Sequence, residues 1–167
     1  MIKTKRLRIV PLTLEQLHDY VRLDGLLEDS LSLAHDSRTI SDEFRDALTR
    51  IILPKLEAEP TMPLYTTIWI MIEEKQNVIV GDISFKGQPN ENGEIEIGYG
   101  SQPQHSGNGY MKEAVKAMVD WAREQKQASS VLAETHKNNI PSIVILKKNG
   151  FEFTHEKGDM LWWKIKL

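Results

Sequence analysis

The chain has 167 residues, of which 40% are hydrophobic and 27% charged, enough for one domain with its own core. It has no cysteine, which excludes disulfides, thiolate metal sites and cysteine nucleophiles and fits a reducing compartment. A formal net charge of -3 argues against a nucleic-acid scaffold, which carries a basic face. Met1 to Val10 carries charges but no uninterrupted apolar run, so no signal peptide is expected. No apolar stretch reaches the roughly 18 residues that span a bilayer, and a cytoplasmic protein without membrane contact is expected.

Leu7 to Leu12 reads as a first strand. Thr13 is an N-cap with Gln16 as its capping-box partner, opening a helix over Leu14, Leu17, Tyr20 and Val21 that stops near Gly25. Phe44, Ala47, Leu48, Ile51 and Ile52 recur at helical spacing, so a second helix lies between Ser41 and Leu56, broken or ended by Pro54. Tyr65 to Ile72, Asn77 to Phe85 and Glu94 to Tyr99 read as three strands of one antiparallel meander. Gly107 and Gly109 then precede a helix. Its residues Met111, Ala114, Val115, Met118, Val119 and Ala122 form a nearly ideal apolar stripe.

Val131 to Thr135 is a short strand, and Asn139 to Asn149 a helix closed by Asn149-Gly150. Phe151 to His155 and Met160 to Leu167 form a closing pair of strands. No repeat, linker or low-complexity segment interrupts residues 1–167, so a single domain is expected. The order β-α-α-β-β-β-α-β-α-β-β gives an α/β or α+β fold. Its one twisted, mixed sheet is mostly antiparallel, with about seven strands and about four flanking helices.

The sharpest motif is Gln104-x-x-Gly107-x-Gly109 between a strand and a helix. The first N–H groups of a helix lack intrahelical acceptors, and the helix dipole adds positive charge there. Glycines let the backbone approach an anion without a Cβ clash. The pattern therefore suits a pyrophosphate, although a Gly-x-Gly before a helix also serves as a plain tight turn. It is neither a Walker loop, since no Gly-Lys-Ser/Thr follows, nor a dinucleotide fingerprint, which needs a glycine at Lys112.

Gln104-His105-Ser106-Gly107-Asn108-Gly109 with its amphipathic helix resembles the coenzyme-A signature of the GNAT acetyltransferases. Glu96-Ile97-Gly98-Tyr99, then Pro103 to Ala114, is similar to the subfamily that acetylates the N-termini of ribosomal proteins. A second block agrees: Asn139-Ile140-Pro141-Ser142, then Lys147-Lys148-Asn149-Gly150-Phe151, looks like the family's Asn-x-x-Ser helix ending in Lys-x-Gly-Phe.

The resemblance implies a GNAT fold and an acetyl-CoA-dependent N-acetyltransferase that needs no metal. Backbone amides of Gly107, Asn108, Gly109, Tyr110 and Met111 would hold the pyrophosphate, with Gln104 opening the loop. Tyr99, Gly100 and Ser101 would pair their backbone with the pantetheine arm. Asn139 and Ser142 would sit beside the pantetheine and the thiol, and Asn139 also suits an N-cap.

Acyl transfer needs a neutral amine, so a base must take its proton. The tetrahedral intermediate needs hydrogen-bond donors for its oxyanion, which a strand backbone supplies. Glu96 resembles the base of histone-type members and Glu134 that of the ribosomal-protein enzymes; each also reads as a solvated strand charge. Many members carry a tyrosine acid four residues before the glycine of Gly-Phe, where this chain has Leu146. Ser142 is the substitute donor to sulfur.

The acceptor is expected to be a primary amine: a protein N-terminus, a polyamine or another small amine. Glu28, Asp29, Asp36, Asp42 and Glu43 form an acidic segment that suits either a cation or solvent. His105 reads as a surface side chain, Trp69, Trp162 and Trp163 as packing residues. A monomer or a homodimer fits, with no nucleic-acid partner. Two other readings stay open: an acyl-CoA-sensing module with weak catalysis, motivated by Leu146, and an unrelated α/β domain.

Overall fold

The computed structural model describes residues 1–58 and 64–167. Among these residues eight strands form one sheet in the order β1-β2-β3-β4-β5-β6-β8-β7. They are β1 (Ile2–Lys3), β2 (Leu7–Pro11), β3 (Trp69–Glu73), β4 (Val78–Phe85), β5 (Glu94–Ser101), β6 (Ser130–His136), β7 (Glu152–Lys157) and β8 (Met160–Lys166). The strand beyond the expected seven is the two-residue β1. All neighbours pair antiparallel except β5 and β6, which run parallel.

Among the described residues six α-helices flank the sheet: α1 (Leu14–Arg22), α2 (Leu26–Ser30), α3 (Asp42–Ala47), α4 (Leu53–Ala58), α5 (Tyr110–Gln125) and α6 (Ile140–Lys148). The capping box at α1 forms as expected. Thr13 Oγ1 accepts from the Gln16 amide at 3.2 Å, and Gln16 Oε1 accepts from the Thr13 amide at 3.0 Å.

Pro54 does not break its helix. A π-helical turn at Leu48–Ile52 links α3 to α4. The Leu53 amide reaches Leu48 O within that widened turn, making room for a ring that cannot donate. The Tyr65–Thr67 segment forms a turn instead of strand, and β3 begins only at Trp69.

Alternation along the strands sorts the core into two layers. Trp69, Met71, Ile83, Phe85, Ile95, Ile97, Val131 and Ala133 face the apolar stripe of α5. Ile68, Ile70, Ile72 and Ile79 face α1 to α4 through Leu17, Tyr20, Leu27 and Leu48. β3 is covered on both sides, so all five of its residues are buried, and Trp69 to Ile72 form an unbroken apolar run. The α5 stripe is fully used: Met118 is 0% exposed, and truncating it to alanine should cost about 2–5 kcal/mol. Among the described residues no helix is long and apolar enough to cross a membrane.

One irregularity of the sheet positions everything that follows. β5 and β6 pair only from Glu94↔Ser130 to Ile97↔Ala133. Beyond Ile97, β5 pairs with β4 alone and β6 with β8 alone. The two parallel strands splay into a V, and the motif with two glycines lies just past its β5 arm.

Candidate active site

A short 3₁₀ turn (Pro103–His105) leads from β5 into the glycine motif. Gly107 has φ +82° and Gly109 φ +76°, a backbone region that side-chain-bearing residues rarely adopt. A Cβ on Gly107 would meet nothing within 4 Å, so the loop is open to solvent there. Gly109 is the N-cap of α5 and supplies no side-chain cap, although the helix runs 16 residues. Among the described residues, the amides of Gly107 to Lys112 have no acceptor; the first intrahelical bond is from Glu113 N to Gly109 O at 3.3 Å. The stretch 106–109 is exposed. Six free N–H groups at an uncapped helix start, approached past two glycines, fit the pyrophosphate expected there.

The loop is held from outside. Arg6, unnoticed in the sequence, donates through Nη1 to Asn108 O at 2.9 Å and lies 4.7 Å over the Tyr110 ring. Its Nε meets Glu113 Oε2 at 2.8 Å, while Glu113 Oε1 accepts from the Arg6 amide at 2.8 Å and Thr4 Oγ1 at 2.5 Å. Burial pushes the Glu113 carboxyl up, but these donors outweigh it and hold the group below the usual glutamate range. A first-turn acid that would compete for the free amides is thereby kept on the far side.

From the other side the connector after α2 clasps the loop. Buried Gln102 accepts from the Thr39 amide at 2.8 Å and donates to Thr39 O at 3.2 Å. The Gln104 side chain donates to Ser37 O. His105 is no free surface residue: its Nε2 lies 2.7 Å from Asp36 Oδ2. That hydrogen bond is the main reason the Asp36 carboxyl sits below its ordinary range.

At the mouth of the V, Tyr99 on β5 reaches Ser142 at the start of α6, hydroxyl to hydroxyl at 2.9 Å. Burial pushes the Tyr99 phenol up, partly offset by that bond. Asn139 caps α6, its Oδ1 accepting from the Ser142 amide at 3.2 Å. Leu146 is 0% exposed in the core, so its place is taken by packing. Glu134 stands on β6 one residue past the last β5 partner, half-buried and with no hydrogen bond or ion pair among the described residues. Gly100 and Ser101 lie on the free stretch of β5 beside Tyr99.

The opposite face of that stretch floors a cavity of about 590 Å³, roofed by α3, the π turn and α4. The floor comes from register. Asp82 sits opposite Gly100 and Ser84 opposite Gly98, so on this face β5 presents two glycines and leaves the sheet bare. Gly81 is needed because β4 and β5 crowd there: a Cβ on it would lie 2.5 Å from Gly100 O. The roof is apolar, with Ile40, Phe44, Ala47, Ile51 and Ile52.

Among the described residues Asp82 is the only acidic one in this wall. Its Oδ2 accepts from Tyr20 Oη at 3.0 Å. Burial pushes its carboxyl up to about 7, against the Tyr20 hydrogen bond and the Arg38 charge that pull it down. Glu96 does not line the cavity; it forms an ion pair with Lys86, which does.

The acidic segment is largely spent on internal partners. Glu28 is buried against Arg38 at 2.5 Å, Asp29 lies 2.7 Å from His35, and Asp36 holds His105. Asp42 and Glu43 stand exposed in the first turn of α3.

The sequence profile of the acetyltransferase (GNAT) domain matches residues 6–152. An N-acetyltransferase of Bacillus subtilis, YjdG, is 34% identical over 95 residues, covering 57% of this chain and 56% of that protein. The chain spans about half the length of the first curated relatives it matches. Among solved structures, a ribosomal L7/L12 α-N-acetyltransferase in complex with coenzyme A superposes with TM-score 0.68 at 17% identity, covering 98% of this chain and 96% of the other. The ribosomal-protein-S5-alanine acetyltransferase of Vibrio fischeri gives 0.69 at 15% identity, with 98% and 94% covered. At such identities the likeness is one of fold.

Proposed function

The chain belongs to the GNAT acetyltransferase family, and from that premise we propose that it transfers an acetyl group from acetyl-CoA to a primary amine. The observation that carries the reading is the row of six amides from Gly107 to Lys112 left without acceptors beside the splayed β5 and β6. Amides of Gly107, Asn108, Gly109, Tyr110 and Met111 receive the pyrophosphate. The free edge of β5 at Tyr99, Gly100 and Ser101 pairs with the pantetheine arm, whose thioester supplies the acyl group when bound. Asn139 and Ser142 close the other side of the V.

The hydroxyl pair of Tyr99 and Ser142 supports a proton donor for the leaving sulfur, since either hydroxyl can pass its hydrogen to the other at 2.9 Å. This bears on the reading of the chain as an acyl-CoA sensor, which Leu146 in the core favours. Of the two glutamate candidates for the base, Glu134 is the better placed, at the opening of the V with no competing partner among the described residues. The carboxylate of Glu96 is engaged by Lys86. The fold-level neighbours are named as acetyltransferases of ribosomal proteins, one of them as an α-N-protein acetyltransferase, and a protein N-terminus remains among the acceptors to test.

Two measurements decide. Acetyl-CoA at about one hundred times its Kd should raise the melting temperature by roughly 5–10 °C. Thiol release over a panel of amines should then show turnover with at least one of them. Stabilisation with no turnover on any amine favours the sensor; no stabilisation removes the coenzyme site.

A further inference from the structure

We propose that Asp82 is the group that meets the acceptor amine, holding its ammonium in the cavity and taking its proton, and that the acceptor is a monocation on an apolar substituent. This rests on the acetyltransferase reading.

The placement argues first. Asp82 and Gly100 are directly opposite in the β4–β5 register. A Cβ on Gly100 would lie 3.7 Å from each Asp82 carboxylate oxygen, so the carboxylate lies close beside the Cα of the strand proposed to pair with the pantetheine arm. The missing side chains at 98 and 100 leave a passage from the cavity to that edge. Neither Glu96 nor Glu134 lines the cavity.

The surroundings argue second. Tyr20 from α1 donates to Asp82 and fixes it. Arg38, from the connector, stacks 4.8 Å over the Tyr20 ring and is ion-paired with Glu28 of α2. Lys86, just past the end of β4, and Lys55 of α4 line the same cavity, and Glu96 pairs with Lys86. Among the described residues the wall offers one carboxylate beside Lys55, with Lys86 already paired to Glu96, so it receives a single ammonium and gives no second acid to a polycation, which selects against polyamines. The roof of Ile40, Phe44, Ile51 and Ile52 receives carbon, and Ile51 is 53% exposed with no core role.

The chemistry closes. The ammonium gives one proton to the Asp82 carboxylate. The freed nitrogen lone pair forms the N–C bond, the C–S bond breaks with its electrons on sulfur, and the second N–H proton goes to that sulfur. Products are an amide and a thiol, and Asp82 returns its proton to water. A carboxyl that titrates near neutrality is ionised enough to accept and basic enough to be useful.

The test uses purified chain with acetyl-CoA, n-hexylamine and spermidine as acceptors. Coenzyme Kd is measured first, by calorimetry. Wild type should acetylate n-hexylamine at least about tenfold better than spermidine, with kcat/KM rising to a plateau through about pH 7. Asp82→Asn should lower kcat/KM about 100-fold or more and abolish that break, with coenzyme Kd within about twofold.

Tyr20→Phe should stay active and move the break to higher pH, because it loses the bond that stabilises the carboxylate. A merely structural Asp82 would not move the break with Tyr20. An unchanged rate and pH profile in Asp82→Asn overturns the proposal, as does a break that follows Glu96→Gln or Glu134→Gln instead. Coenzyme binding with no turnover on any amine also overturns it while leaving the coenzyme site intact. Absent coenzyme binding strikes the acetyltransferase reading itself.

Discussion

The loop at residues 102–113 and the cavity above β4 and β5 lie on two sides of one strand, yet they are built from different material. The loop is main chain. Its working parts are free amides, and side chains serve only to hold it, through Arg6, Gln102 and Gln104. The cavity is side chain. Asp82, the lysines and the apolar roof come from segments far apart in sequence, and the backbone contributes absence, as glycines at 98 and 100. A site of amides answers to backbone conformation; a site of side chains answers to charge and volume. Substitutions should therefore separate the two.

The largest expected effect falls on the loop. Gly109→Val forces a β-branched residue into φ +76°, although the space around its Cβ is ordinary, with Arg6 Nη2 at 3.6 Å. The chain escapes by shifting its amides out of line. Coenzyme Kd should rise about 100-fold, or about 2.7 kcal/mol, by calorimetry. An unchanged Kd would break the claim that this region is a main-chain site.

Asp82 gives the next effect, on stability. Burial raises its folded pKa to about 7 from an ordinary 3.8. The folded state then binds the proton more tightly than the unfolded one. This group favours folding at low pH, and that support is lost as pH rises from about 4 to about 7. At pH 8 the buried charge is a net cost, so Asp82→Asn should stabilise by about 2 kcal/mol, less than the linkage bound because Tyr20 loses a charged acceptor. The gain should shrink at pH 5. Thermal unfolding at both pH values checks it, and an asparagine variant weaker at pH 8 would mean that the acid is there for the fold.

Volume comes third. Gly98 faces the cavity, and a Cβ there would meet only Lys86 Cε, at 3.7 Å. Gly98→Val should fold and fill the floor, raising acceptor KM about tenfold while coenzyme Kd stays level. A matching loss in both constants would show that the two regions are mechanically one.

The same contrast explains what the sequence disclosed. Gly107 and Gly109 ahead of an apolar stripe carry a local backbone requirement, so the loop and α5 were legible. The box Thr13–Gln16 and the cap at Asn139 were legible for the same reason. Asp82 was not, since its meaning depends on Tyr20 and Gly100, 62 residues before it on α1 and one strand away. The one available signal was an acid inside Val78–Phe85, a strand otherwise almost wholly buried. Lys86 could not be seen as the partner of Glu96, nor Asp36 as that of His105, because register and loop packing bring them together. Pro54 misled because a π turn absorbs a proline as well as a helix end does.

The smallest effect tests whether the loop is main chain alone. Arg6 brings a cation to Asn108 O and the Tyr110 ring, within reach of any anion at the loop. It is already engaged by Glu113 at 2.8 Å, and half-exposed charge is screened by water and salt. If it only braces the loop, Arg6→Met keeps the apolar stem, loses the bonds to Asn108 and Glu113, and raises coenzyme Kd about threefold at any ionic strength. If instead the guanidinium leaves Glu113 to grip phosphate, the loss exceeds tenfold at low salt and shrinks toward threefold at about 0.5 M, where the Debye length is only a few ångströms. Calorimetry at two salt concentrations separates the cases, and the salt-dependent result would move one side chain into a site otherwise made of amides.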